Sequence, residues 1–170
     1  MVNLRAKAAM AVATAIVTVV SIIGVLGSTT APASAADPCP FLGTIKNGSH
    51  YLDDYGQGFQ ANVHTYPETG SFNQAWCVEP ASGGGMYIHP LTDEGLCLDL
   101  HTYTSGQTVW MYTCNGTLPQ RWCWDFFGYI VAKGNRSLAL RDRGLYQTVA
   151  AFRGGNNTWL FSDPHYVQPC

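Results

Sequence analysis

Three tripeptides of one form recur along the chain: Gln74-Ala75-Trp76, Gln120-Arg121-Trp122 and a degenerate Asn157-Thr158-Trp159. Their tryptophans are 46 and 37 residues apart, and a leucine precedes each: Leu52 in "YLDD", Leu98 in "CLDL" and Leu138 in "SLAL". Between leucine and tryptophan each copy holds a glycine-containing turn and an alternating stretch, "ANVHTY", "TVWMYT" and "TVAAFR". A β-like segment opens each copy: "LGTIK", "GMYIH" and "GYIVA". A period of roughly 40 residues means that each unit is one supersecondary element that buries its apolar face only against its neighbours.

The segments are short, alternate in character and are rich in Val, Ile, Tyr and Trp, the pattern of half-buried strands. Gly and Asn clusters ("NGS", "SGGG", "GGNN") interrupt them as turns. No helical apolar stripe persists past the N-terminal leader. The pattern predicts an all-β domain of about a dozen strands in three repeats.

Residues 1–35 read as an export signal. Arg5 and Lys7 form the basic start, Ala8 to Leu26 the apolar run, and Ala33-Ser34-Ala35 the cleavage signature. A membrane anchor is the competing reading, since the run is long. Cleavage after Ala35 leaves a single domain, residues 36–170, secreted to the extracellular side. No later segment is apolar enough to span a bilayer, so no membrane association is expected after cleavage.

All six cysteines (Cys39, Cys77, Cys97, Cys114, Cys123, Cys170) lie beyond the leader. An even number in an exported chain implies three disulfides. No Cys-x-x-Cys spacing occurs, so neither a metal nor another cofactor is expected. The domain keeps seven Lys/Arg against eleven Asp/Glu, a formal charge of 7 − 11 = −4. Without a basic cluster, nucleic acid is excluded as a partner.

Cys97-Leu98-Asp99-Leu100, Val109 to Cys114 and Gln120-Arg121-Trp122 resemble the ricin B-type (R-type) lectin repeat, and the resemblance extends over residues 41–163. It implies a β-trefoil, with six strands in a barrel, three hairpins capping one end, and Trp76, Trp122 and Trp159 in the core. It also implies carbohydrate as the partner. Asp99, Tyr112 and Gln120 match the acid, stacking aromatic and amide of the family's sugar pocket. Pro119 stands where the family usually has Asn, which removes one hydroxyl contact. Alternation along the strand turns Val109 and Met111 inward and leaves Trp110 and Tyr112 as an outward platform.

The first copy offers Asp53, Asn62, His64, Asn73 and Gln74, with His64 read in place of the aromatic and Asn62 on the same face. The turn after Asp53, "DYGQGFQ", reads as shorter than its second-copy counterpart. In the third copy Ala139 stands at the acid position; Asn156 and Asn157 remain, and Phe152 reads as packing. One pocket is expected in the second copy, a further one in the first, and none in the third.

Cys97 and Cys114 match the family's within-repeat disulfide. Close termini favour Cys39–Cys170, which leaves Cys77–Cys123. If Cys77 and Cys123 point outward from threefold-related positions they are too far apart to bond, and Cys39–Cys77 with Cys123–Cys170 is the alternative.

No nucleophile elbow or His-Glu-x-x-His motif is present, and adjacent Asp53 and Asp54 would face opposite ways on a strand, so no enzyme activity is expected. The expected function is that of a secreted lectin with one or two shallow galactoside- or xylan-type sites. The alternative is a trefoil without sugar binding, acting as a protein-interaction or inhibitor module toward a secreted protein partner, with Trp110 and Tyr112 as its hot spot.

Overall fold

The computed structural model describes Cys39 and residues 41–154, 157–162 and 169–170. The leader and Asn156 lie outside the described residues. Among the described residues no helix is long and apolar enough to cross a membrane.

The first copy comprises β1 (Phe41–Gly43), β2 (Ile45–Asn47), β3 (His50–Asp53), β4 (His64–Tyr66) and β5 (Trp76–Pro80). The second comprises β6 (Met86–Pro90), β7 (Leu96–Asp99), β8 (Gln107–Thr108), β9 (Trp110–Thr113) and β10 (Trp122–Trp124). The third comprises β11 (Ile130–Ala132), β12 (Asn135–Arg141), β13 (Ala150–Arg153) and β14 (Leu160–Phe161). A short 3-10 turn, Phe72–Gln74 or Leu118–Gln120, precedes each of the first two tryptophan strands.

β1 pairs with β5, and β5, β6, β10 and β11 follow in antiparallel order; β2 pairs with β14 on the other side. Three hairpins, β3–β4, β7–β9 and β12–β13, complete the β-trefoil. Their threefold relation is closed by main-chain hydrogen bonds: Val63 N–H donates to Val109 O, Val109 N–H to Val149 O, and Val149 N–H to Val63 O. A second set repeats the symmetry. Gln60, Gly106 and Tyr146 each donate to the neighbouring copy (Met111, Ala151 and Thr65 carbonyls), and all three have positive φ (63°, 89° and 63°). Glycine tolerates this backbone without strain, whereas Gln60 and Tyr146 do not.

The three motif tryptophans are at most 1% exposed. Each indole Nε1–H is satisfied by a leucine carbonyl: Trp76 by Leu52 (2.9 Å), Trp122 by Leu98 (2.8 Å) and Trp159 by Leu140 (3.1 Å). Burial of each ring contributes about 4–6 kcal/mol of transfer free energy, so the motif is a core device. The third partner is Leu140, which corrects the sequence alignment on Leu138 by two residues.

The disulfides are Cys39–Cys77, Cys97–Cys114 and Cys123–Cys170. The within-repeat bond is the one the resemblance implied. The favoured pairing of Cys39 with Cys170 and Cys77 with Cys123 is overturned. β6 lies between β5 and β10, and Cys77 pairs with His89 whereas Trp122 pairs with Met86, so Cys77 and Cys123 are at least two strand spacings (about 10 Å) apart, beyond disulfide reach. Instead, Leu42 pairs with Cys77 and brings Cys39 beside it, while Cys170 N–H bonds Trp124 O next to Cys123.

Candidate functional site

Cross-strand register makes the three copies comparable residue by residue. Asp99 pairs with Trp110 and Cys97 with Tyr112; Asp53 pairs with His64 and Tyr51 with Tyr66. Tyr66 therefore holds the position of Tyr112, and His64 that of Trp110. The reading of His64 as the stacking aromatic is corrected: the signal lay two residues on, in the same "HTY". Asp53 to Val63 and Asp99 to Val109 span the same number of residues, so the first-copy turn is not shortened. In the third copy Arg141 pairs with Ala150 and Leu140 with Ala151, so the acid position is Arg141 rather than Ala139, and Phe152 holds the position of Tyr112.

The second copy carries a cavity of ≈ 340 Å³ lined by Asp99, His101, Tyr112, Asn115, Thr117 and Pro119. Asp99 ends β7 and is 4% exposed. Its Oδ1 accepts the His101 N–H, which holds His101 in a left-handed conformation (φ 59°) at the rim. Among the described residues Oδ2 has no hydrogen-bond partner. The carboxylate is thus half used by its own loop and half left for the hollow. Met111 and Val109 are buried and Tyr112 is turned outward, as alternation requires. Phe59, from the first-copy loop, leans on Tyr112 at 4.8 Å between centroids.

Trp110 does not line the cavity. It is half-buried, meets His101 edge-on at 5.3 Å, and its enclosed Nε1 has no hydrogen-bond partner among the described residues. The expected two-ring platform is therefore Tyr112 with a contribution from Phe59. Gln120 does not line the cavity either: it is fully buried, its Oε1 accepts Asn115 N–H (2.8 Å), and its Nε2 donates to Thr113 O (2.9 Å). Gln74 does the same with Thr69 N–H and Pro67 O. Both glutamines fix the turn that forms the pocket rim. His101, Asn115 and Thr117 also line the cavity; the sequence signal for Asn115 and Thr117 is the "NGT" turn directly after Cys114, and His101 follows Asp99 by two residues. The Cys97–Cys114 bridge fixes that turn at its start.

In the first copy an open hollow of ≈ 590 Å³ is lined by Tyr55, Gly56, Gln57 and Asn73. Asn73 Oδ1 accepts from Gln57 Nε2 (2.7 Å). Asp53 is buried beneath, and burial raises its carboxyl above the usual range against the opposing pull of Gln74 and His64. His64 is half-buried, and its enclosed Nδ1 has no hydrogen-bond partner among the described residues. Asn62 is exposed and bridges to Trp110, between copies, away from Asp53. The third copy is closed by its own side chains: the Arg141 guanidinium lies over the Phe152 ring at 5.3 Å. Asp142 beside it is held by His50 Nδ1 (2.5 Å), Asn47 Nδ2 (3.1 Å) and Thr65 Oγ1 (3.2 Å).

Residues 41–162 match the model of the ricin-type beta-trefoil lectin domain. No curated protein matches the chain by sequence. Among solved structures it is similar to the designed threefold-symmetric protein ThreeFoil (24% identity, TM-score 0.62, covering 72% of this chain and 98% of that one). It is also similar to the agglutinin from Abrus precatorius (20% identity, TM-score 0.62, covering 74% of this chain and 48% of that one). A third is the C-half of an earthworm R-type lectin in complex with GalNAc (17% identity, TM-score 0.57, covering 72% and 98%). At these identities the structural likeness establishes the fold, and the match over residues 41–162 establishes the family: the chain belongs to the ricin-type beta-trefoil lectin domains.

Proposed function

We propose that the chain is a secreted carbohydrate-binding protein whose principal site is the second-copy cavity, acting without catalysis. One observation carries this reading: Asp99 and Tyr112 line the same hollow, and among the described residues Asp99 Oδ2 has no hydrogen-bond partner. A carboxylate accepts hydrogen bonds from adjacent sugar hydroxyls, while an aromatic face takes the apolar side of the ring. His101, Asn115 and Thr117 add polar groups around them. The cavity is at the small end of ligand clefts, suited to one monosaccharide unit. Binding to one such unit is weak, about millimolar, and useful retention comes from multivalent engagement of a polysaccharide. Galactosides and xylan-type chains are the substrate classes.

A glycan array tests this directly. Signal on galactoside or xylan probes, lost in Asp99→Ala, supports the reading; an array blank for the folded wild type contradicts it. The protein-interaction reading draws support from Phe126 and Phe127, which are 98% and 68% exposed in the turn after β10. A pull-down that returns one stoichiometric protein, indifferent to free sugars, would favour that alternative.

A further inference from the structure

The first-copy hollow differs from the second in what lies over its ring. Residues 55 and 101 each follow the acid of their copy by two. In the second copy His101 meets Trp110 edge-on at 5.3 Å and 70°, and Tyr112 stays on the cavity wall. In the first copy Tyr55 meets His64 edge-on at 4.9 Å and 71°, the same contact. Tyr55 goes further: it also lies parallel to Tyr66, at 5.3 Å and 15°. Neither Asp53 nor Tyr66 lines the hollow, which is walled by Tyr55 with Gly56, Gln57 and Asn73. Tyr146 of the third copy also meets Tyr66, edge-on at 4.8 Å and 87°.

We infer that Tyr55 is a built-in occupant of the first-copy pocket: its phenol ring covers Tyr66 where the apolar face of a sugar would lie, and residue 55 thereby sets how many pockets bind. The inference rests on the sugar-binding reading of the second copy. The second copy carries His at the equivalent place, and a ring that stops at Trp110 leaves Tyr112 on the cavity wall, with Phe59 tilted against it rather than stacked parallel over it. The third copy is covered in its own way, by Arg141 over Phe152. A stacked aromatic pair must be separated before a sugar reaches Tyr66, which weakens the first pocket by up to about tenfold relative to an uncovered one. Tyr55 is 53% exposed on its outer side, so its removal or rotation needs no repacking of the core.

The test is amide-resolved NMR titration of the wild type, Tyr55→His and Tyr55→Ala with lactose and with xylotriose. In the wild type, amides 99–117 are expected to shift at up to about tenfold lower sugar than amides 53–57 and 66–73. In either variant the two sets are expected to shift together, so bound sugar per chain doubles at concentrations that fill only the second pocket of the wild type. A second-copy response without any first-copy response in both folded variants overturns the role of Tyr55 and leaves the sugar reading standing. Equal responses at both copies in the wild type overturn it as well. If no protein responds to either sugar at residues 99–117, the sugar reading fails and takes this inference with it.

Discussion

Arg141 stands at the strand position that Asp99 occupies in the second copy, and its guanidinium lies 5.3 Å from the centroid of the Phe152 ring. A cation therefore sits on the third-copy ring, in place of the acid that would grip a hydroxyl. Arg141→Ala is expected to leave sugar affinity unchanged and to cost about 0.5–1 kcal/mol of stability, the range of an exposed cation–π contact. Titration with sugar alongside chemical denaturation checks both halves.

The Trp122 indole donates to Leu98 O at a site with no access to water. Trp122→Phe keeps most of the buried ring and leaves that carbonyl without its donor. A loss of about 1–3 kcal/mol is expected from the unmet carbonyl. Trp122→Ala should cost more, about 3–5 kcal/mol, through the cavity it creates. Equilibrium unfolding of the two variants ranks them.

Gln120 is expected to act through the rim and not through the ligand. Gln120→Ala strands Asn115 N–H and Thr113 O, so both melting temperature and sugar affinity should fall together. A variant that lost affinity with an unchanged melting temperature would assign the amide to the ligand instead.

Asp54 is fully buried; Thr92 donates to its Oδ2, and its Oδ1 has no partner among the described residues. Burial raises its carboxyl above the ordinary value of 3.8, Thr92 opposes this, and Asp53 and Asp93 add to it. With the folded value above the unfolded one, the stability contribution is complete below the unfolded value. It is lost as pH rises through the folded value. Asp54→Asn should therefore melt a few degrees above the wild type at neutral pH, with the advantage vanishing as pH falls toward 3.8. Melting curves of both proteins across that range supply the test.

The threefold frame was legible because it rests on large apolar residues at fixed spacing: three tryptophans, their upstream leucines and the alternation of Val109 to Tyr112. What was not legible depended on register and on sheet order. "SLAL" presents two equivalent leucines, and only the Trp159 contact selects Leu140 over Leu138. "HTY" presents two rings, and only the pairing of Asp53 with His64 assigns Tyr66 to the Tyr112 position. The disulfides turned on β6 separating Cys77 from Cys123. Gln120 was misread because a primary amide serves a sugar or a main-chain turn equally well, and its burial decides between them.

The most direct measurement is affinity electrophoresis of folded Asp99→Asn beside the wild type in gels containing galactoside- or xylan-based polysaccharide. Asparagine keeps an oxygen for the His101 amide and removes the charge. Loss of a charge-assisted hydrogen bond predicts retardation weakened by about tenfold or more at an unchanged melting temperature. Equal retardation of the two proteins would contradict the second-copy pocket as the place where sugar is held.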